Sequence, residues 1–152
     1  MNVLIVSSKY PPEYSGSGNR AHQTYLRLHD KYGINFQVMT GSEAFDKSQS
    51  YIFEDVIVKR ISSRKSYGID CNSTFRMFRH FKKSFVQRVG YIREFFPAFW
   101  FLWKIRREFD LIHIFGHVTV TDAAISFAKI FGKPIIVELT SDRKTPWPNE
   151  MR

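Results

Sequence analysis

The sequence predicts an α/β fold built on a parallel sheet, because short apolar runs alternate with helical patterns along most of its 152 residues. Two runs carry most of this prediction. Val3–Val6 is a short β-branched run of the kind found in buried parallel strands, and Ile135–Val137 is also apolar and β-branched. The composition, with 43% hydrophobic and 24% charged residues, is that of an ordinary soluble domain and argues against a disordered chain.

The first part of the chain is predicted to contain three strands and one helix. The helix is supported by apolar residues at spacings of three and four, and Gly33 suits its carboxyl end. In order, these elements are a strand over Val3–Val6, a loop over Lys9–Gly18, a helix over Asn19–Tyr32, a strand over Ile34–Thr40 and a strand at Val56–Val58 with Ile61.

The second part of the chain continues the alternation. Phenylalanines at helical spacing predict one or two helices within residues 75–107, broken at Gly90 or Pro97. The later elements are a strand over Leu111–Phe115, a helix over Thr119–Phe131 that ends at Gly132, and a strand over Pro134–Thr140. We therefore expect one domain over residues 1–140, with 75–107 as a helical insertion. Residues 141–152 are expected to be a linker or the start of a further element.

The charge of the chain is concentrated in that insertion. Residues 75–107 contain nine basic residues and one acidic residue, Glu94, so they carry +8 of the net +9. They also contain 11 of the 25 aromatic residues. Such a charge predicts an anionic partner, which could be nucleic acid, an acidic membrane surface or a phosphorylated small molecule. The single cysteine, Cys71, excludes an internal disulfide and a cysteine-rich zinc cluster, and no metal site is predicted.

Within the insertion, basic residues interleave with phenylalanines, a composition typical of a helix that lies on anionic lipid. The basic residues in question are Arg76, Arg79, Lys82, Lys83 and Arg88. Trp100 and Trp103 would form a second inserted patch or belong to the core. The alternative is that the aromatic residues pack on the sheet and the charges are simply solvated. Nucleic acid is not expected, because no recognised binding motif accompanies the basic run.

A loop of small residues, Ser15–Gly18, precedes the first predicted helix. Gly16, Ser17 and Gly18 would allow close approach of a ligand and positive φ, and the first helical N–H groups would face an anion. The alternative is a flexible turn. A nicotinamide-binding oxidoreductase is disfavoured, because Thr40 and Gly41 stand where its acidic residue is required.

The expected topology places two histidines near the small-residue loop. If the five predicted strands lie in the order 3-2-1-4-5, the small-residue loop faces the segment after the fourth strand. His113 and His117 lie in or next to that segment, where a histidine could donate to a sugar or phosphate or act as an acid or base. The alternative is a buried, hydrogen-bonded His113 and a solvated His117.

Several of these residues together resemble the amino-terminal domain of GT-B glycosyltransferases of family 4. The matching features are Tyr10-Pro11-Pro12, the loop Gly16 to Gly18, Asp110 to His113, Gly132-Lys133-Pro134 and Glu138-Leu139-Thr140. The resemblance implies a Rossmann-like, doubly wound parallel sheet. It also implies that Gly16, Ser17 and Gly18 contact the donor diphosphate, that His113 or His117 contacts the transferred sugar, and that Glu138 and Thr140 open towards the substrate cleft.

The resemblance further implies a retaining transferase that moves a sugar from a nucleotide-sugar donor, without a tightly bound cofactor, to a lipid-linked or cell-surface glycan acceptor. The donor-binding half of that family has two glutamates separated by seven residues, and no pair of glutamates here has that spacing. We therefore expect an amino-terminal half that is inactive alone and works with a carboxyl-terminal half or partner subunit. The expected location is the cytoplasm, at the inner face of the membrane, without a targeting or membrane-spanning segment. The alternative function is a non-catalytic membrane-surface or interaction module.

Overall fold

The computed structural model describes residues 1–42, 48–62 and 91–138. These residues form six strands and three helices, so the predicted α/β class is confirmed. In chain order the elements are β1 (Asn2–Ser7), α1 (Gly16–Tyr32), β2 (Asn35–Ser42), β3 (Gln49–Phe53), β4 (Val56–Ser62), α2 (91–104), β5 (Leu111–Phe115), α3 (Thr119–Phe131) and β6 (Ile135–Glu138). The basic run of the insertion and the tail 141–152 lie outside the described residues.

The strands form one sheet in the order β3-β4-β2-β1-β5-β6, and every neighbouring pair is parallel except β3 with β4. Without β3, this is the 3-2-1-4-5 order on which the placement of the site depends. The sheet is thus mostly parallel and compatible with a Rossmann-like fold. Its carboxyl edge, where β1, β5 and β6 end, is the edge from which α1 begins.

Helices pack against both faces of the sheet. In β1, Leu4 and Val6 join a core with α2 and α3, whereas Val3 and Ile5 join a core with α1. This alternation follows from the period of two along a strand, which sends successive side chains to opposite faces. It explains why the first strand is almost continuously apolar, since both of its faces are buried.

The backbone confirms the predicted carboxyl ends of α1 and α3. Gly33 and Gly132 follow α1 and α3 with φ of 62° and 63°, a left-handed conformation that glycine adopts without a steric penalty. The predicted start of α1 at Asn19 is three residues late. Ser15 caps the helix with its side chain, which accepts a hydrogen bond from the N–H of Gly18, so Gly16–Gly18 is already helical.

Strand β3 is absent from the sequence prediction. It pairs with β4 as an antiparallel hairpin whose turn consists of Glu54 and Asp55, with φ of 45° and 63°. Two-residue hairpin turns of this left-handed kind are normally signalled by Asn-Gly or Asp-Gly, and Glu-Asp gives no such signal. Tyr51 and Phe53 pack towards α1, while Ile52 between them is exposed.

The predicted break at Pro97 is wrong, because α2 continues through this residue from 91 to 104. Ala98 and Leu102 lie in the core with Ile105 just beyond the helix, and this packing outweighs the helix-breaking tendency of proline. Gly90, the alternative break, lies outside the described residues. No helix in the described ranges is both long and apolar enough to cross a membrane.

Candidate functional site

The small-residue segment lies at the carboxyl edge of the sheet as the first turn of α1 rather than as a loop. Gly16 and Gly18 do not have positive φ, so that part of the expectation is wrong. Gly18 has a different reason to be glycine. A Cβ added there would overlap the carbonyl oxygen of Lys9, whereas a Cβ on Gly16 would meet nothing within 4 Å. Glycine is therefore required at position 18 because the backbone of the preceding loop packs directly against it. Of the two glycines, only Gly16 has open space beside it for a ligand.

Two backbone N–H groups at this helix end remain available. The N–H of Gly18 donates to Ser15 Oγ at 3.1 Å, and the N–H of Asn19 donates to the Ser15 carbonyl at 2.9 Å. The amides of Gly16 and Ser17 have no acceptor among the described residues. The first turn contains no acidic side chain, so the partial positive charge of the helix end is not locally compensated.

His113 lies under α1 on β5. Its Nδ1 is 2.8 Å from the hydroxyl of Tyr25 on α1, and its ring packs on Phe115 with centroids 4.2 Å apart. Burial raises the pKa of Tyr25 to about 12, so its hydroxyl is protonated at neutral pH. With Tyr25 as the donor, the ring proton is on Nε2, which has no partner in the described part of the chain. The histidine is half-buried and satisfied at one nitrogen only.

The charge state of His113 follows from its surroundings. Burial lowers its pKa below the ordinary value of 6.5, and the nearby carboxylate of Glu138 partly opposes this effect. Desolvation penalises the imidazolium form, and the carboxylate favours it, so the two causes have opposite signs. Because burial is the larger cause, the ring is neutral at pH 7 and can act as a hydrogen-bond donor or a base.

Glu138 ends β6 and makes an ion pair with Arg20 of α1 at 2.6 Å, with both side chains partly exposed. This pair joins the end of β6 to the second turn of α1. Arg20 was missed in the sequence analysis. Its position four residues after Gly16 puts it on the same face of the helix, and this spacing is the signal that could have identified it. Thr140, the other residue expected at this strand end, lies outside the described residues.

His117 has different partners from His113. It is exposed, and its Nε2 lies 3.0 Å from Oδ1 of Asp122 on α3, the helix that packs on the opposite face of the sheet from α1. The structure therefore brings His113 together with Tyr25 and Glu138, and it ties His117 to α3 instead. The described contacts do not join the two histidines.

A second candidate surface lies on the outer side of α2. Ile92, Phe96, Trp100 and Trp103 are exposed at spacings of four, four and three residues, and we call them the aromatic stripe. Trp100 and Trp103 are 66% and 40% exposed, with ring centroids 5.0 Å apart, so the alternative that they belong to the core is wrong.

Cationic side chains border the aromatic stripe. Arg93, Lys104 and Arg107 are exposed, and the guanidinium of Arg106 lies 4.8 Å from the centre of the Trp103 ring. The other basic residues predicted to contact lipid, Arg76, Arg79, Lys82, Lys83 and Arg88, lie outside the described residues. The described part of the insertion thus presents apolar rings within a basic border.

The chain matches no protein-family model and no curated protein.

Proposed function

We propose that this chain is the acceptor-side, amino-terminal unit of a retaining GT-B glycosyltransferase that uses a nucleotide-sugar donor. In this proposal the sheet is doubly wound, and a separate donor-binding unit is required for activity. One observation carries the proposal. Arg20, on the helix whose first turn carries the open amides of Gly16 and Ser17, pairs with Glu138 at the carboxyl end of β6, and the Glu138 carboxylate is close enough to His113 on β5 to affect its pKa.

Each group has a role in this proposal. The Gly16 and Ser17 amides contact the donor diphosphate, because a helix amino terminus offers N–H donors and a favourable dipole to an anion. Arg20 adds a positive charge one turn later. His113 donates from Nε2 to a hydroxyl of the transferred sugar. Glu138 exchanges its ion pair with Arg20 for contacts to the substrates, and Thr140 is proposed to line the same cleft.

His113 is favoured over His117 as the histidine that contacts sugar. Tyr25 fixes the ring orientation of His113 on the α1 side of the sheet, and α1 also carries the amides proposed to bind phosphate. His117 is 72% exposed and paired with Asp122, so it lacks a comparable fixed orientation towards α1. A role for His117 remains the alternative within the same proposal.

The test is an NMR titration of the isotopically labelled chain with nucleoside diphosphates and with the matching nucleotide sugars. We expect the amides of Gly16 and Ser17 to shift with both kinds of ligand, because both carry the diphosphate. The His113 ring signals should shift only with the nucleotide sugars. No response at Gly16 and Ser17 across uridine, guanosine, adenosine and thymidine ligands would reject the proposal.

A matched pair of variants separates the two histidines. In His113→Gln, the additional affinity for a nucleotide sugar over its nucleoside diphosphate should disappear, whereas His117→Gln should retain it. The reverse result would transfer the sugar contact to His117. Sugar transfer or donor hydrolysis by the chain alone would contradict the need for a separate donor-binding unit.

A second candidate function is docking on an anionic membrane surface, with or without catalysis, and the aromatic stripe favours it. Amphipathic helices with aromatic side chains and basic borders bind the interface of anionic bilayers. In this proposal the chain is a peripheral protein at the cytoplasmic face of the membrane. We expect co-sedimentation with vesicles containing anionic lipid at low salt and weaker binding at high salt or with zwitterionic vesicles. Absence of sedimentation with all of these vesicles would exclude this function.

A further inference from the structure

A chain of two hydrogen bonds, one buried and one partly buried, joins three separate segments on the α1 side of the sheet. The hydroxyl of Tyr10, in the segment after β1, lies 2.7 Å from Nδ1 of His22 on α1. Nε2 of His22 lies 2.8 Å from Oε2 of Glu54, in the β3–β4 turn. Tyr10 is fully buried and the His22 side chain is 3% exposed, whereas the Glu54 side chain is 59% exposed. We call these three residues the buried relay.

The direction of the hydrogen bonds in the buried relay follows from the chemistry of its ends. Burial, with smaller contributions from Tyr51 and Glu54, raises the pKa of Tyr10 well above its ordinary value, so the phenol keeps its proton. The Glu54 carboxylate can only accept, so His22 donates to it from Nε2–H, and in the neutral ring Nδ1 then accepts from the Tyr10 hydroxyl. His22 is thereby held in one tautomer and one orientation.

Two further contacts connect the same hairpin to the segment after β1. The hydroxyl of Tyr51 on β3 donates to the carbonyl of Pro11 at 2.6 Å. The guanidinium of Arg60 on β4 lies 3.3 Å from a carboxylate oxygen of Glu13 and 4.5 Å from the centre of the Tyr51 ring. The hairpin therefore contacts this segment directly at Pro11 and Glu13, and the buried relay connects it to Tyr10.

The segment in turn lies directly against the first turn of α1. The Cα of Tyr10 and the carbonyl of Lys9 are so close to Gly18 that a side chain at position 18 has no room. A displacement of Lys9 or Tyr10 is therefore transmitted to the first turn of α1 through backbone contact, without an intervening flexible side chain.

We propose that Tyr10, His22 and Glu54 are positioning residues through which the β3–β4 hairpin fixes the segment 9–15 and the amino terminus of α1. The exposed carboxylate of Glu54 is the solvent-facing end of the buried relay. The inference extends beyond the proposed function, because the placement of the helix terminus by the hairpin does not depend on which ligand binds there.

The test compares Glu54→Gly with Asp55→Gly in the full chain. Both residues are in the same turn, both have positive φ, and each substitution removes one negative charge and relieves the same kind of backbone strain. Only Glu54 accepts a hydrogen bond from His22. Because Glu54 is largely exposed, Glu54→Gly is expected to fold, and Asp55→Gly controls for the effects of charge and glycine.

The measurement is amide hydrogen exchange, read at Glu13 and Gly18. The N–H of Glu13 donates to the Tyr10 carbonyl and that of Gly18 to Ser15 Oγ, so both report local opening of the segment. In Glu54→Gly we expect exchange at both amides to be roughly fivefold faster, the effect of one lost, partly exposed charged hydrogen bond. The Gly33 amide, at the other end of α1, should be unchanged in both variants. Equal exchange at Glu13 and Gly18 in the two variants would overturn the proposal.

The imidazole nitrogen signals of His22 provide a second, spectroscopic readout. In the unmodified chain and in Asp55→Gly we expect the Nε2–H tautomer, and in Glu54→Gly a mixture of tautomers. An Nδ1–H tautomer in the unmodified chain would contradict the proposed direction of the hydrogen bonds. Neither readout requires a nucleotide sugar, so failure here and failure of the glycosyltransferase proposal are distinguishable.

Discussion

The carboxyl edge of the sheet and the aromatic stripe differ in how their exposed groups are partnered. At the edge, Arg20 is paired with Glu138 and the Tyr25 hydroxyl with His113. On the stripe, large apolar side chains such as Trp100 face solvent. Polar groups that are already hydrogen-bonded to one another are preoriented for a polar ligand. Exposed aromatic rings stabilise a complex only when a partner covers them and removes their contact with water. The edge thus has the features of a polar ligand site, and the stripe has those of an apolar contact surface.

The largest expected effect concerns the two glycines at the edge. Gly18→Ala should lower the free energy of unfolding by about 3 kcal/mol, because the new Cβ overlaps the backbone of Lys9 and neither side can yield cheaply. Gly16→Ala, its matched control, has open space and should be neutral or stabilising by up to about 1 kcal/mol. Urea unfolding of both variants measures the difference. Equal stabilities would mean that the close approach at Gly18 is not a feature of the folded chain.

The next effect concerns the aromatic stripe. Replacing Trp100 and Trp103 together by Gln should weaken binding to anionic vesicles by about 2 kcal/mol, or roughly thirtyfold, because both rings lose their transfer into the interface. Ile52→Gln removes an exposed apolar side chain from β3, outside the stripe, and should leave vesicle binding unchanged. Vesicle co-sedimentation gives both values. A similar loss of binding in the control would show that general surface hydrophobicity, rather than the stripe, makes the contact.

A smaller effect is expected from the ion pair at the edge. Arg20→Gln should lower the free energy of unfolding by less than about 1 kcal/mol, because the pair is partly exposed and screened by water. A double-mutant cycle with Glu138→Gln measures the coupling free energy between the two side chains. A coupling of several kcal/mol would make the pair a structural element of the edge, instead of a pair that opens readily for a ligand.

The smallest effect concerns the pH dependence of His113. Because burial lowers its pKa, the unfolded chain binds the proton at a higher pH than the folded chain does. Its contribution to stability is therefore complete above the unfolded value of about 6.5 and is lost as pH falls through the lower folded value. His113→Gln should remove this part of the decrease in Tm between pH 7 and pH 5. In Glu138→Gln the His113 pKa, measured by NMR, should fall further; a rise would contradict the proximity of the carboxylate.

The sequence predicted β5, α3 and the two helix ends at glycine closely, because strong periodicity and the left-handed glycine conformation are local signals. It did not predict β3 or the passage of α2 through Pro97. The first lacks an ordinary turn signature, and the second depends on packing of Ala98 and Leu102 against distant strands. Such non-local contacts override local propensity.

At the candidate site, residue type and strand position predicted His113, and the resemblance to GT-B glycosyltransferases predicted Glu138. Their partners, Tyr25 and Arg20, could not be identified in the same way, because the contacts join α1 to strands about a hundred residues later in the chain. The buried relay was missed for the same reason. It depends on a hairpin turn that only the folded sheet brings beside α1.

We propose that the edge binds a nucleotide sugar while the aromatic stripe binds lipid, on separate surfaces of one chain. Equilibrium dialysis of a labelled nucleotide sugar against the chain, with and without anionic vesicles, measures both kinds of binding in one experiment. We expect the same Kd, within about twofold, for the free and the vesicle-bound chain, because α2 packs on the opposite face of the sheet from α1, whose first turn lies at the edge. Displacement of the nucleotide sugar by the vesicles, or no binding in either condition, would contradict the claim.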